Sequence, residues 1–218
     1  MPRRFKKTKP LVYVFYEGES EQKYIDFLKK TFSDVAVIKR PASTGLFEAA
    51  ESKFKSDPQY KNYAEITDEI WFFFDVETED IPKWEDRLSA IKRLRKLRKD
   101  PQIKVRLLMT TGCVEYWLML HYEYCAPRLN TVAEKDRMEN RLKTKEPSYQ
   151  KGDKDSIFKI AGKYETAIKN GAKSLSRLIQ DGLPSIEETD ERNQWLVKNC
   201  LTFTTVQQAI DFLVSLGE

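Results

Sequence analysis

Histidine is nearly missing from this chain: His121 is the single example in 218 residues. No Cys-x-x-Cys pair stands beside it, so a zinc site of the usual four-ligand kind is excluded. Cysteine is sparse as well. Cys113, Cys125 and Cys200 are odd in number and widely spaced, which argues against a disulfide framework and for reduced thiols. No apolar run approaches the roughly 20 residues that cross a bilayer, and the amino terminus lacks an apolar signal region. These gaps set the expectation of a soluble, cytoplasmic chain with no membrane partner. Internal repeats and low-complexity tracts are missing too.

What is present reads as a globular protein. The chain is 33% charged, 12% aromatic and 40% hydrophobic, a balance far from that of disordered segments. Its length suits one substantial core, or a core with an appended part. The net charge of +4 is mildly basic and informative only through its placement.

The placement of the acids is the strongest local signal. Ile70-Trp71-Phe72-Phe73-Phe74 runs without interruption into Asp75-Val76-Glu77. A continuous apolar run of this kind suits a strand buried on both faces of a helix-covered parallel sheet. Binding in such sheets sits beyond the carboxyl ends of the strands. In extended backbone, residues i and i+2 point to one side, so Asp75 and Glu77 are placed to face a common spot. Hard oxygen ligands gathered there suit Mg2+, or Mn2+ in its place. The plainer reading makes Asp75 a helix cap and Glu77 a solvated turn residue.

The same arrangement recurs along the chain. Leu11–Tyr16 reads as a strand ending at Glu17-Gly18, and Tyr24, Ile25, Phe27, Leu28 and Phe32 follow at helical spacing, with Ser20 as a candidate cap. Val35–Lys39 is a second strand, and Leu46–Phe54 a helix; Asp57–Asp68 reads as a polar connection. Ile103–Met109 is a further strand, turning at Thr110-Thr111-Gly112 into a helix with Glu115 in its first turn and His121 on an apolar stretch. Strand and helix alternate, which predicts an α/β fold with a mostly parallel central sheet flanked by helices. Its successive strand ends deliver Glu17, then Asp75 with Glu77, then Glu115. After Pro127 the pattern becomes helical: Val132–Leu142, one long or two short helices over Ile157–Ile179, and a closing helix after Thr205. The predicted organisation is an α/β core over residues 10–125 with a C-terminal helical elaboration over 126–218, the two forming one unit.

Positive charge is concentrated in two places. Arg3, Arg4, Lys6, Lys7 and Lys9 form a basic arm or a solubilising tail. A helix over Trp84–Lys99 buries Trp84, Leu88, Ile91, Leu94 and Leu97 and turns Arg87, Lys92, Arg93, Arg95, Lys96, Arg98 and Lys99 outward. No acid interrupts that cationic stretch, so a nucleic-acid backbone or an acidic protein partner is the expected neutralising group; a solvated face is the simpler alternative.

Taken together these segments resemble the RloB-like family, which includes the AbiLii-type abortive-infection proteins. Glu17-Gly18-Glu19-Ser20-Glu21 with Tyr24 is similar to its opening motif, and Phe74-Asp75-Val76-Glu77 to its F-D-x-D strand end. Val114 through Tyr122 is similar to its F-E-x-W-x-L-L-H-F stretch, and Tyr149-Gln150-Lys151 with the downstream Ala167-Ile168 and Ala172-Lys173 to its Y-x-K and alanine-lysine helix. Departures are Glu77 for the second aspartate, Thr110-Thr111-Gly112 for S-N-P, and Val114 for an aromatic. The resemblance implies a TOPRIM-like (Rossmann-like) domain related to OLD-type nucleases, with an acidic cluster that binds Mg2+ for phosphoryl transfer. It also implies a role in phage defence beside an AAA-type ATPase.

On this reading Asp75 and Glu77 are metal ligands, and Glu17 is a further ligand or a general base. Glu21 and Glu115 are candidates for a second metal, with helix capping equally open for Glu115. Lys151 is a candidate to steady a phosphate, against a solvated loop lysine. His121 reads as a packed histidine and not as a base. The expected activity is Mg2+-dependent cleavage of DNA or RNA. The rival is a non-catalytic partner or sensor module with a degenerate acidic site; a phosphatase or nucleotidyl transferase acting on small phosphates is a third reading.

Overall fold

Four strands, β1 (Leu11–Tyr16), β2 (Val37–Lys39), β3 (Glu69–Val76) and β4 (Lys104–Thr111), form an all-parallel sheet in the order β2-β1-β3-β4. The computed structural model describes residues 9–218. Arg3, Arg4, Lys6 and Lys7 of the expected basic arm lie outside the described residues, and Lys9 at its edge donates to the Ser33 carbonyl at 2.8 Å. β3 pairs with β1 from Val12↔Glu69 to Tyr16↔Phe73 and with β4 along its whole length. It is the central strand, and its apolar run is explained by cover on both faces.

Alternation along the strands feeds two apolar layers. Val12, Val14, Tyr16, Trp71, Phe73 and Leu108 point to one face, where α1 (Glu19–Thr31), α5 (Val114–Met119), α6 (Val132–Lys145), α7 (Lys154–Ala161) and α10 (Val206–Ser215) cover them. Tyr13, Phe15, Ile70, Phe72, Phe74 and Met109 point to the other, beneath α2 (Phe47–Ser56), α3 (Pro58–Lys61), α4 (Trp84–Arg95) and α9 (Asp190–Asn199). α8 (Tyr164–Ser176) places Ala167 in the first layer and Leu175 in the second. The helical part beyond residue 126 thus supplies side chains to both layers and has no core of its own.

The C-terminal segment also closes the sheet. Thr205 Oγ1 donates to the Leu107 carbonyl at 2.6 Å and accepts the Met109 N–H at 2.8 Å, and Thr204 bridges Thr110. The β4 edge is thereby covered, which protects its unpaired backbone groups from other chains. Thr205 stands at the N-cap position of α10, but its hydroxyl serves the strand and not the helix.

Other boundaries move for local reasons. The Asp57–Asp68 connection contains α3, started by Pro58 in the first turn and by the Asp57 side chain accepting the Gln59 N–H at 2.9 Å. The cationic helix stops at Arg95 instead of Lys99. Its last turn tightens through Lys96 N–H to Arg93 O (3.1 Å) and Leu97 N–H to Leu94 O (3.2 Å), and Asp100 precedes a proline, which disfavours helical backbone. Ile157–Ile179 divides into two helices, α7 and α8. α6 begins in a reciprocal capping box: Thr131 Oγ1 accepts the Glu134 N–H at 3.3 Å, and Glu134 Oε2 accepts the Thr131 N–H at 3.0 Å. Thr131→Ala is expected to lower stability by about 1 kcal/mol, read as a lower urea midpoint at unchanged slope.

Candidate functional site

From β1 the chain crosses to β2 on one side and later enters β3 on the other, so the carboxyl ends of β1 and β3 flank a topological switch point. That is where open parallel sheets leave a crevice for ligands. Glu17 follows β1 directly, and its N–H donates to Phe73 O of β3 at 3.2 Å. Its carboxylate then accepts the Asp75 N–H, also at 3.2 Å. Strand pairing therefore brings residues 17 and 75 together, as expected from their places at strand ends.

Three further carboxylates surround Asp75. Glu21, one turn into α1, is only 4% exposed. Gly18 makes room for it, since a Cβ there would lie 2.7 Å from Glu21 Oε2. Glu115, in the first turn of α5, is 2% exposed and accepts the Tyr149 hydroxyl at 2.9 Å. Gly112 makes that turn possible: its φ is +76°, and a Cβ would meet Leu129 O at 2.5 Å, so this backbone requires glycine there. The fourth neighbour is Glu77.

The electrostatic consequence falls on Asp75. Its Oδ1 is buried and has no hydrogen-bond partner among the described residues. Burial first, then the charges of Glu21, Glu17, Glu115 and Glu77, push its pKa well above the usual aspartate value. Glu21 is pushed up to about 7, mainly by burial and against local backbone hydrogen bonds, with Glu17 and Glu115 adding to the rise. Glu17 is raised by burial, an effect partly offset by the Asp75 N–H.

The expected ligand set is not preformed. Among the described residues no three His, Cys, Asp or Glu side chains are grouped closely enough to hold a metal ion. Three of the carboxylates around Asp75 have found a donor: Glu115 the Tyr149 hydroxyl, Glu17 the Asp75 N–H, and Glu77 the ammonium of Lys135 on α6. Glu77 is thus engaged by Lys135 while its charge still acts on Asp75. Its backbone starts the 3-10 turn Thr78–Lys83, where Asp80 accepts the Glu77 N–H at 3.1 Å.

Lys151 stands at the rim, with Nζ 3.1 Å from Glu139 and 3.5 Å from Glu115. Ser20 is not the cap of α1, a place taken by Gly18; its hydroxyl accepts the Gly152 N–H at 3.0 Å and ties the Lys151 loop to the first helix. His121 is a packed histidine, as expected. It is buried between the Tyr24 hydroxyl and the Trp117 carbonyl, both at 3.0 Å, and burial lowers its pKa to about 3.

The cationic stretch needs the largest correction. Acids from elsewhere in the chain neutralise much of it: Arg87 pairs with Asp80 at 2.6 Å, Arg93 with Glu51, Arg95 with Asp190 at 2.7 Å, and Arg98 with Asp68 at 3.3 Å. Lys92, Lys96 and Lys99 have no ion pair among the described residues. Between α2 and α4 a cleft of about 840 Å³ opens from Glu17, walled by Thr44, Phe47, Lys83, Arg87 and Arg93. Sequence reasoning gave no role to Lys135, Asp80 or Glu139. Lys135 sits in the charge alternation Glu134-Lys135-Asp136-Arg137, where nothing marks one lysine over its neighbours.

An all-parallel α/β sheet with buried carboxylates at its switch-point crevice is the class that fold and site define. Within it, the chain belongs to the RloB-like protein family, whose model matches residues 12–213. No curated protein and no solved structure matched it. Among the described residues no helix is long and apolar enough to cross a membrane.

Proposed function

We propose that the chain is a divalent-metal-dependent phosphodiester hydrolase acting on DNA or RNA. The observation that carries this reading is Asp75: a half-buried carboxyl with one shielded, orphaned oxygen, neighboured by Glu17, Glu21, Glu77 and Glu115 at the carboxyl end of the sheet. Clustered, desolvated carboxylates are costly without a cation, and their hard oxygens suit Mg2+ or Mn2+. The donor chemistry fits, although the side chains are not grouped as a ligand set. Asp75, Glu17 and Glu77 are assigned to hold the ion, with Glu21 and Glu115 as candidates for a second. When bound, Mg2+ would supply Lewis-acid activation of a phosphoryl oxygen and of water.

The chain's own residues supply the rest. Glu21, with a pKa of about 7, is poised to hold or release a proton at its carboxyl near neutral pH. Lys151 at the rim offers an ammonium to a phosphate. The cleft between α2 and α4 reaches the cluster at Glu17, and Lys92, Lys96 and Lys99, outside its walls, are the cations of the α4 segment left for a nucleic-acid backbone. The family resemblance extends the proposal to phage defence with an AAA-type ATPase as partner. A second reading, a non-catalytic partner or sensor module of such an ATPase complex, is favoured by one observation: Glu77 and Glu115 are already tied to groups of this chain.

A panel of tRNA, single-stranded DNA and duplex DNA with Mn2+ separates the two. Cleavage in Mn2+ that stops in EDTA is the expected result. Uncut substrates throughout, with and without the ATPase, leave the module reading. Reversing Lys92, Lys96 and Lys99 to glutamate is expected to weaken nucleic-acid binding in EDTA and to reduce the slope of log K against log salt by about 3.

A further inference from the structure

α6 and the loop after it lay two ammonium groups on the acid cluster: Lys135 pairs with Glu77, and Lys151 reaches Glu115. Asp75, Glu17 and Glu21 have no ion pair among the described residues. Lys135 is well anchored at its backbone end. It lies in the first turn of α6, whose start is fixed by the Thr131–Glu134 box and whose Met138 and Leu142 are buried in the core. Its side chain is a quarter exposed and that of Glu77 two-fifths, so the tip of the pair can separate into water without unfolding anything.

We propose that Lys135 is a tethered internal cation that occupies Glu77 and must be displaced for a divalent ion to take Glu77 as a ligand. The inference rests on the metal-dependent reading above and identifies the residue that sets the affinity of that site. A lysine ammonium and a divalent ion are alternative counter-ions for the same carboxylate. While the lysine is in place, Glu77 is engaged and a like charge stands beside the entering metal. This accounts for two observations together: Glu77 stands two residues along the chain from Asp75, yet the expected ligand set is not formed. If the pair were only a surface ion pair, it would contribute at most about 1 kcal/mol and removing the lysine would leave metal binding unchanged.

The test is calorimetric titration of MnCl2 into the chelator-stripped full chain. Comparison is made among wild type, Lys135→Met, Lys135→Arg and Lys145→Met, with circular dichroism checking the fold of each. Lys135→Met is expected to bind Mn2+ about tenfold more tightly, the scale of one unit charge a few ångströms away in a well-hydrated setting. Lys135→Arg keeps the charge and should match wild type. So should Lys145→Met, which removes a charge from the same helix at a residue paired with Glu123. Equal or weaker binding by Lys135→Met, with wild type binding normally, overturns the inference and leaves the hydrolase reading intact. Absence of Mn2+ binding in every variant overturns both.

Discussion

Asp75→Asn is expected to abolish Mn2+-dependent cleavage and, in EDTA at pH 8.5, to make the protein more stable than wild type. The first effect follows if Asp75 holds the ion. Lewis-acid stabilisation is worth several kcal/mol, and at 1.36 kcal/mol per decade its loss lowers the rate by a factor of about 1,000 or more. The second effect follows from the cluster itself. Asp75 is half-buried with its Oδ1 shielded from solvent and without a partner, and four carboxylates oppose its ionisation. Asparagine keeps the shape and removes the charge, so the penalty of ionising that position at high pH disappears. A residue that weakens the fold yet is needed for the reaction is the usual signature of a functional carboxylate. Cleavage at the wild-type rate would remove Asp75 from the site. A melting temperature in EDTA below that of wild type would show that its carboxylate stabilises the fold.

Why the sequence pointed to Asp75 and not to Lys135 has a physical answer. Glu17 and Glu115 stand just beyond strand ends and Asp75 in the last two residues of β3, and parallel topology carries strand ends to the same edge. The convergence of distant acids was therefore implicit in the alternation of strand and helix, and the Leu11–Tyr16 and Ile70–Val76 patterns were unambiguous because both are covered on two faces. α9 left little pattern: Trp195, Leu196 and Val197 are consecutive, and on either side of them the helix is polar. Counter-ions were the least legible feature. The arginines of α4 look unneutralised when that segment is read alone, because their acids, Glu51, Asp80 and Asp190, come from other segments. The same blindness applies to Glu77, whose lysine lies 58 positions away. Helical and strand periods report which face a residue occupies. They carry no information on which distant charge faces it.

The difference in stability between Glu21→Gln and wild type, measured in EDTA by urea denaturation, is expected to grow from pH 4.5 to 7 and to level off above. Glu21 is pushed up to about 7 in the folded chain, mainly by burial, whereas an unfolded glutamate titrates near its ordinary value of 4.5. A raised carboxyl pKa means that the folded form binds the proton more tightly. Its stabilising contribution is complete below pH 4.5 and is lost as pH rises through 7. A shift of that size corresponds to about 3 kcal/mol, which glutamine, unable to ionise, does not lose. Wild-type stability alone would hide this. His121 is held neutral with a pKa near 3, so it removes stability as pH falls below about 6.5, in the opposite direction. Glu146, held at about 2 mainly by Lys159, loses its contribution only below about pH 4. Both effects cancel in the difference between the two proteins. A flat difference across the range would place Glu21 in contact with water and outside the coupled cluster. A difference that vanishes on adding Mn2+ would show that the ion stabilises the charge glutamine had replaced, linking the titration to the proposed metal site by a measurement independent of cleavage.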